Sequence, residues 1–468
     1  MSSSRSSLTT VLALVTGAVA VAGLAATALV TPSVPVAGHP YVPAPLTIAP
    51  QPGGAADPPT TTAVAPTSTT TTTPAAVKLT ARLDAVLANT NACLVVEDAS
   101  GVVYRHGDAS FVPASTQKLL VAAAALDVLG PSFRFATSVV ATKAPDATGT
   151  VDDLWLVGGG DPVLASPEFV GYLGTQPLTS GASPTTPLVE LAAQLEAAGV
   201  RHVRNGLHGD DSRYERLRWL PTWKPIYFDE ADVAPLGALE VDDGLQQVHP
   251  ERLTTEPALL ASTALARLAG GRHIAVAPAA DAAAPPGATV LASVQSPTLA
   301  ELVSAMIRSS DNLTAELLVR ELDRAQGGTG TTSGGTALVL TEARKLGLPV
   351  AGVRLLDGSG LSPGDRATCR VLVDALALAS RPPFTAIAGG LSIAGRNGTL
   401  VHRFVGTPAE GHLAAKTGSI DGVAGLVGVL DEHAPIRFAF LVNGRFAYST
   451  GANLEDRVVA ALETYPEP

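Results

Sequence analysis

The chain has 468 residues, 31 Lys plus Arg against 42 Asp plus Glu, a net charge of −11 and 46% hydrophobic side chains. That length holds two or three domains around a buried core, and the acidic balance excludes nucleic acid or an anionic membrane surface as the main partner. Nine scattered histidines and two cysteines give no ligand spacing for a metal, and no cofactor is expected.

Residues 9–30 form an uncharged apolar run behind a serine-rich start whose only cation is Arg5. The run is longer than the about 7–15-residue centre of a cleaved signal peptide, which favours a retained anchor over residues 1–31. Small residues around Ala25 and Ala37 keep cleavage open, and either reading exports the rest of the chain. Membrane contact is expected only through this segment. Residues 32–77 are mostly Pro, Thr, Ala and Gly and read as an extended linker, with a reach of up to ~100 Å.

Folded sequence is expected from Lys78, with a first catalytic part over residues 78–131. LTARLDAVLAN predicts an amphipathic helix; ACLVVEDASGVVYRHG alternates and breaks at Ser100 and Gly101, which predicts a hairpin. PASTQKLLVAAAALDVLG, residues 113–130, then sets Ser115 three residues before Lys118 at the start of an alanine-rich helix that Gly130 and Pro131 end. Positions i and i+3 share a helix face, so hydroxyl and amine can meet, and unpaired N–H groups at a helix start stabilise developing negative charge. The chain has 6 lysines among its 31 basic residues, so it uses Arg for plain surface charge. A lysine is the cation that burial can neutralise and turn into a base.

Residues 132–296 separate this segment from the next chemistry-bearing one and are too long for a loop, which predicts an inserted domain. Inside it a short strand runs into GGGDP, residues 158–162. A tight turn is the simplest reading; a phosphate cradle lacks the lysine and helix it needs, and a loop presenting Asp161 to a substrate ammonium group is the functional alternative. LVELAAQLEAAGVRHV predicts a helix leading to a strand, and GDDSRYERLRWLPTW a packing and turn region. His202 and His208 near Asp210 lack helical ligand spacing.

The second catalytic part, residues 297–468, opens with a long helical pattern interrupted at Ser310, Asp311 and Asn312. LDGSGLSPGDR, residues 356–366, reads as structural turn chemistry. Three strands follow, the first carrying Lys416, Thr417, Gly418 and Ser419, and a helix over residues 454–464 ends the chain. Cys93 lies on an apolar strand and Cys369 in a helical segment; two buried thiols is the simpler expectation, with a disulfide open in an exported chain.

A serine three residues before a lysine arises easily by chance, but SDN is expected roughly 0.02 times and KTG roughly 0.05 times from this composition. The ordered triple SxxK, SDN, KTG is therefore a strong signal. With the phrases GGGDP, SDNLTAELLVR, DGSGLS, GRNGTL and AAKTGS, the chain from about Lys78 onward resembles the D-alanyl-D-alanine carboxypeptidase family of low-molecular-mass penicillin-binding proteins. It is most similar to the branch with a large insert between the first two motifs, peptidase family S13. The resemblance implies an α+β fold of the penicillin-binding-protein and serine β-lactamase type: a five-stranded antiparallel sheet between helices, beside a helical lobe. It implies Ser115 as acylated nucleophile, Lys118 as its base, Ser310 as proton relay, Asn312 as a substrate-backbone contact and Lys416 as source of positive field. Thr417, Gly418 and Ser419 would bind the terminal carboxylate, and the N–H groups of Ser115 and Ser419 would form the oxyanion hole. Ser419 stands where the family usually has threonine, which keeps a hydroxyl. Peptidoglycan stem peptides ending in D-Ala-D-Ala, and their cross-links, would be substrates, with β-lactams as covalent inhibitors.

Two other readings compete. A class A β-lactamase shares the three motifs but needs a glutamate-activated water, and no ExxLN phrase lies between Asn312 and Lys416. A catalytically idle wall-binding scaffold would be expected to lose a reactive group, yet Ser115, Lys118, Ser310 and Lys416 are all present.

Overall fold

Pro74 at the first helical position, and Thr73 accepting from the Ala76 N–H through Oγ1, start helix α1 (Pro74–Leu87) a turn ahead of the expected Lys78. The computed structural model describes residues 73–176 and 183–466. The apolar run at 9–30 and the linker up to residue 72 lie outside the described residues. Strands β1 (Ala92–Asp98) and β2 (Gly101–His106) form the predicted hairpin. A 3-10 turn, Ala114–Gln117, leads into α2 (Lys118–Val128), which ends before Gly130 at φ 82°.

Next come β3 (Ala136–Ala141), β4 (Thr150–Val157), β5 (Leu164–Ala165), α3 (Pro167–Leu173), β6 (Thr186–Pro187) and α4 (Leu188–Ala197). They are followed by β7 (His202–Asp210), α5 (Ile226–Asp229), β8 (Leu245–Val248), β9 (Glu251–Leu253), α6 (Pro257–Gly270) and β10 (Thr289–Gln295). The remainder is α7 (Leu299–Ser309), α8 (Asn312–Ala325), α9 (Thr332–Lys345), α10 (Cys369–Leu378), α11 (Thr385–Gly390) and β11 (Ser392–Ile393). Strands β12 (Leu413–Ile420), β13 (Val423–Leu430) and β14 (Ile436–Asn443) precede α12 (Tyr448–Leu462), which begins earlier than the expected Leu454.

The main sheet is antiparallel, in the order β11-β12-β13-β14-β1-β2. It has six strands rather than five, because the two residues of β11 pair with Ala414 and Ala415 at the β12 edge. Period-two alternation divides β1 between two cores. Leu94 and Val96 pack with α1 and α12, while Cys93 and Val95 face α2 and α10. Helix α2 is apolar around its whole circumference, as a helix buried on all sides must be, and is enclosed by the sheet, α7, α8, α9 and α10. This buried helix carries Lys118 at its first residue.

A second sheet, β10-β3-β4-β7, is drawn from the stretch between α2 and α7, with β4 and β7 parallel and α4 and α6 covering it. The two cysteines are not free thiols: Cys93 and Cys369 form a disulfide with Cα atoms 5.9 Å apart. The α2-facing side of β1 carries Cys93 directly against the start of α10, a proximity that strand and helix patterns alone do not reveal.

Candidate active site

Three backbone devices bring the motif residues together. Ala114, at φ 47°, sits in the left-handed region and turns the chain so that Ser115 enters the 3-10 turn partly exposed. Ser310, at φ 64°, ends α7 through its N–H to the Met306 carbonyl, and Asp311 starts α8 by accepting from Thr314 N–H. The predicted break between two helices is therefore a left-handed residue followed by an N-cap. In β12, a Cβ on Gly418 would stand 2.7 Å from the Pro113 carbonyl oxygen, so glycine lets the strand lie against the turn that carries Ser115.

Lys118 is fully buried, and its Nζ donates to three oxygens: Ser115 Oγ at 2.7 Å, Asn312 Oδ1 at 2.7 Å and the Ser359 carbonyl at 2.8 Å. Burial pulls its pKa down to about 8, while Asp311, Asp357 and Glu316 pull the other way. Ser115 Oγ also faces the Ser359 carbonyl at 3.4 Å. Lys416, equally buried, donates to Ser310 Oγ at 2.8 Å and to the Thr417 carbonyl at 2.8 Å. Its pKa lies well below the usual lysine value, through burial first and then the nearby Lys118 charge. Thr417 Oγ1 pairs with Thr399 Oγ1 at 2.8 Å, from the GRNGTL phrase.

Ser115, Ser310, Asn312, Thr417, Gly418 and Ser419 line a cleft of about 670 Å³, with Lys118 and Lys416 buried beneath its surface. Tyr227 and Asp232, from and just after α5, form one wall, and Arg403, Tyr448 and Glu455 another. Asp161 is not brought there. Gly158 and Gly160 donate to the Asp210 and Ala238 carbonyls in a tight turn, and Asp161 is 3% exposed, accepting from Val163 N–H. Burial pushes its pKa up to about 6, and it presents no carboxylate to a ligand. His208 is likewise occupied, its ring nitrogens on Asp153 and the Ala280 carbonyl.

The sequence reading missed the 356–366 turn as part of the site. Asp357, wholly buried, accepts from Gln117 Nε2, from Trp223 Nε1 at 2.8 Å and from the N–H groups of Gly360 and Ser362. Those bonds curl the turn until its Ser359 carbonyl meets Lys118. A Cβ on Gly360, at φ 89°, would lie 2.1 Å from the Ala114 carbonyl oxygen, so the turn sits directly on the backbone preceding the nucleophile. Asn312 is also tied outward, Nδ2 donating to the Asp232 carbonyl at 2.7 Å. Backbone carbonyls carry no sequence signature; the available signal was the acid with glycines in DGSG and the tryptophan pair in RWLPTW.

Comparison with known proteins agrees with this geometry. A carboxypeptidase DacB of Mycolicibacterium smegmatis is 33% identical over 410 residues, 84% of this chain and 85% of the relative. A carboxypeptidase of Mycobacterium tuberculosis is 36% identical over 408 residues, 83% of this chain and 84% of the relative. The crystal structure of penicillin-binding protein 4 from Haemophilus influenzae superposes with a TM-score of 0.68 at 19% identity, covering 84% of this chain and 99% of that one, which shows the same fold. A second structure of that protein, complexed with a β-lactam, gives a TM-score of 0.64. The profile of the D-Ala-D-Ala carboxypeptidase 3 (S13) family matches residues 79–286 and 255–465, spanning every element of the cleft. With the relatives and the serine–lysine site, this places the chain in the S13 family as a serine DD-peptidase.

Proposed function

We propose that Ser115 is the acylated nucleophile and Lys118 its general base, in cleavage of the D-Ala–D-Ala bond of peptidoglycan stem peptides. The carrying observation is the set of three oxygens around Lys118 Nζ. An ammonium uses all three hydrogens on them. A neutral amine keeps two, which the acceptor-only Asn312 Oδ1 and Ser359 carbonyl hold, so its lone pair faces the Ser115 hydroxyl.

The Ser115 Oγ–H proton passes to Lys118 as Oγ bonds to the substrate carbonyl carbon, and the oxyanion sits on the N–H groups of Ser115 and Ser419. Collapse breaks the C–N bond; Ser310 gives its proton to the leaving amine and takes one from Lys416. Exchange with solvent then returns Lys118 to the neutral amine and Lys416 to the ammonium. In deacylation Lys118 takes a proton from the attacking water and gives it to Ser115 Oγ as the ester C–O bond breaks. Thr417 and Ser419 receive the substrate carboxylate, whose charge favours protonation of Lys416 from solvent before acylation; that cation in turn drives Lys118 toward the neutral form. Gly418 contributes close packing rather than a side chain.

β-lactams acylate the same serine in this reading. The partners of Ser115 and Lys118 are a hydroxyl, an amide oxygen and a peptide carbonyl, none of them a carboxylate able to activate the deacylating water, so the adduct is long-lived. Cross-link cleavage uses the same acyl-enzyme. The enzyme works outside the cytoplasm, with residues 1–31 as anchor or leader, the 32–77 linker up to the start of α1 as tether and 132–296 as an inserted domain.

The test is intact-protein mass spectrometry of the full-length chain with and without penicillin, beside Ser115→Ala, together with D-Ala release from a D-Ala-D-Ala peptide. A persistent penicilloyl adduct and D-Ala release on wild type, both absent from the variant, are expected. Rapid penicillin turnover without adduct would convert the reading to a β-lactamase, and neither adduct nor turnover would leave a wall-binding scaffold.

A further inference from the structure

Glu316 lies on α8 one turn beyond Asn312 and is fully buried. Its Oε1 accepts from Gly358 N–H at 2.9 Å and from Ser359 N–H at 2.7 Å, the two peptide groups that lead into the carbonyl held by Lys118. Its Oε2 has no hydrogen-bond partner, an expensive arrangement in a protein core. A carboxylate that served only to pin a turn could be replaced at lower cost by a neutral amide, which offers the same acceptor and places no charge in low dielectric.

We infer that Glu316 is a positioning residue for acylation: it fixes the Ser359 carbonyl against Lys118 and supplies a negative charge that this amine feels across the turn. The inference rests on the assignment of Lys118 as base. Because α8 carries both Asn312 and Glu316, one helix sets both acceptors that aim the Lys118 lone pair, Asn312 directly and Ser359 through Glu316. The charged groups bearing on Lys118 are Asp311, Asp357, Glu316 and Lys416; those bearing on Glu316 include Asp357, Asp365 and Arg320. Burial, and then Asp357, pushes the Glu316 carboxyl upward. Asp365 is pushed to about 10 and therefore stays protonated, able to donate to Asp357. Glu316, pushed up to about 8, can therefore change charge in the same range as the amine it orients.

The test measures Ser115 acylation by penicillin from pH 5.5 to 9, together with peptide kcat and KM, in full-length wild type, Glu316→Gln and Glu316→Asp. Glu316→Gln keeps the double acceptor and loses the charge. Its melting temperature and KM should stay near wild type, while the acid limb of acylation moves down by about half a pH unit or more. Glu316→Asp keeps the charge but is one methylene too short for both N–H groups, and its maximal acylation rate should fall about 10²-fold. A Glu316→Gln profile superimposed on wild type overturns the electrostatic part, and an undiminished Glu316→Asp rate overturns the positioning part. Absence of acylation in wild type would instead sink the base assignment itself, and this inference with it.

Discussion

Asn312 donates through Nδ2 to the Asp232 carbonyl at 2.7 Å while its Oδ1 accepts from Lys118, so one side chain joins the base to the segment following α5. Removing it in Asn312→Ala leaves a Lys118 hydrogen and the Asp232 carbonyl without partners. We expect kcat/KM for a D-Ala-D-Ala peptide to fall about 10²-fold or more, because the lone pair is no longer aimed. Steady-state D-Ala release checks this; a loss under about threefold would remove Asn312 from the orienting set.

Because Lys118 titrates near 8 rather than 10.5, two pH effects follow. Activity needs the neutral amine and should rise with pH through about 8, bounded on the alkaline side by the need for a protonated Lys416, whose pKa also lies below the usual value. Stability has the same sign: between about 8 and 10.5 the unfolded chain binds the proton that the folded one has lost, so unfolding free energy rises with pH there. The shift corresponds to about 3 kcal/mol. It should appear as a growing wild-type minus Lys118→Met difference in denaturant unfolding, and a difference independent of pH would exclude the depressed value.

Gly360→Ala tests the seat of the nucleophile. The new Cβ meets the Ala114 carbonyl at 2.1 Å and the residue keeps φ near 89°, so the turn and the Ser115 backbone must separate. Stability should drop by about 1–3 kcal/mol and the penicillin acylation rate by about 10²-fold. Gly347→Ala, also at positive φ but with no atom near its Cβ, is the control that should spare acylation.

The disulfide should matter to stability and little to chemistry. Cys93 and Cys369 are 276 residues apart and both buried, and the bond lies between β1 and α10 rather than in the cleft. The Cys93→Ala/Cys369→Ala double variant should lose about 2–5 kcal/mol and keep kcat within about twofold at low temperature. Equilibrium unfolding and peptide hydrolysis at 15 °C measure both.

Ser115, Lys118, Ser310, Asn312 and Lys416 were legible in the sequence because short spacings fix them locally: i, i+3 across a helix start, a triplet at a helix break and a triplet on a strand. The hairpin, the paired helices around Ser310 and the three C-terminal strands were legible for the same reason. What escaped was contributed across the chain by backbone atoms or by packing. Ser359 acts through its carbonyl, and Trp223 matters only because Asp357 lies beside it. The tight turn read at Asp161 is there, but the alternative of a loop presenting it to a ligand stayed open because glycines before an acid suit an exposed loop as well as a buried turn, and periodicity does not distinguish them. The cysteine pair failed similarly, since strand and helix patterns say nothing about which helix covers which strand.

Strand β1 enters the main sheet between β2 and β14, and its Glu97 is paired with Arg437, 340 residues later. Near the start of the folded region, then, lies a strand whose partner is made close to the end. At about 5–20 residues per second, ribosomal synthesis separates the two by roughly 15–70 s. For that interval β1 lacks its neighbour on the β14 side, and until Cys369 is made, 276 residues after Cys93, that thiol has no partner either. The catalytic sheet is therefore a post-translational structure, and a polypeptide halted before β14 lacks the strand that joins β1 to β13.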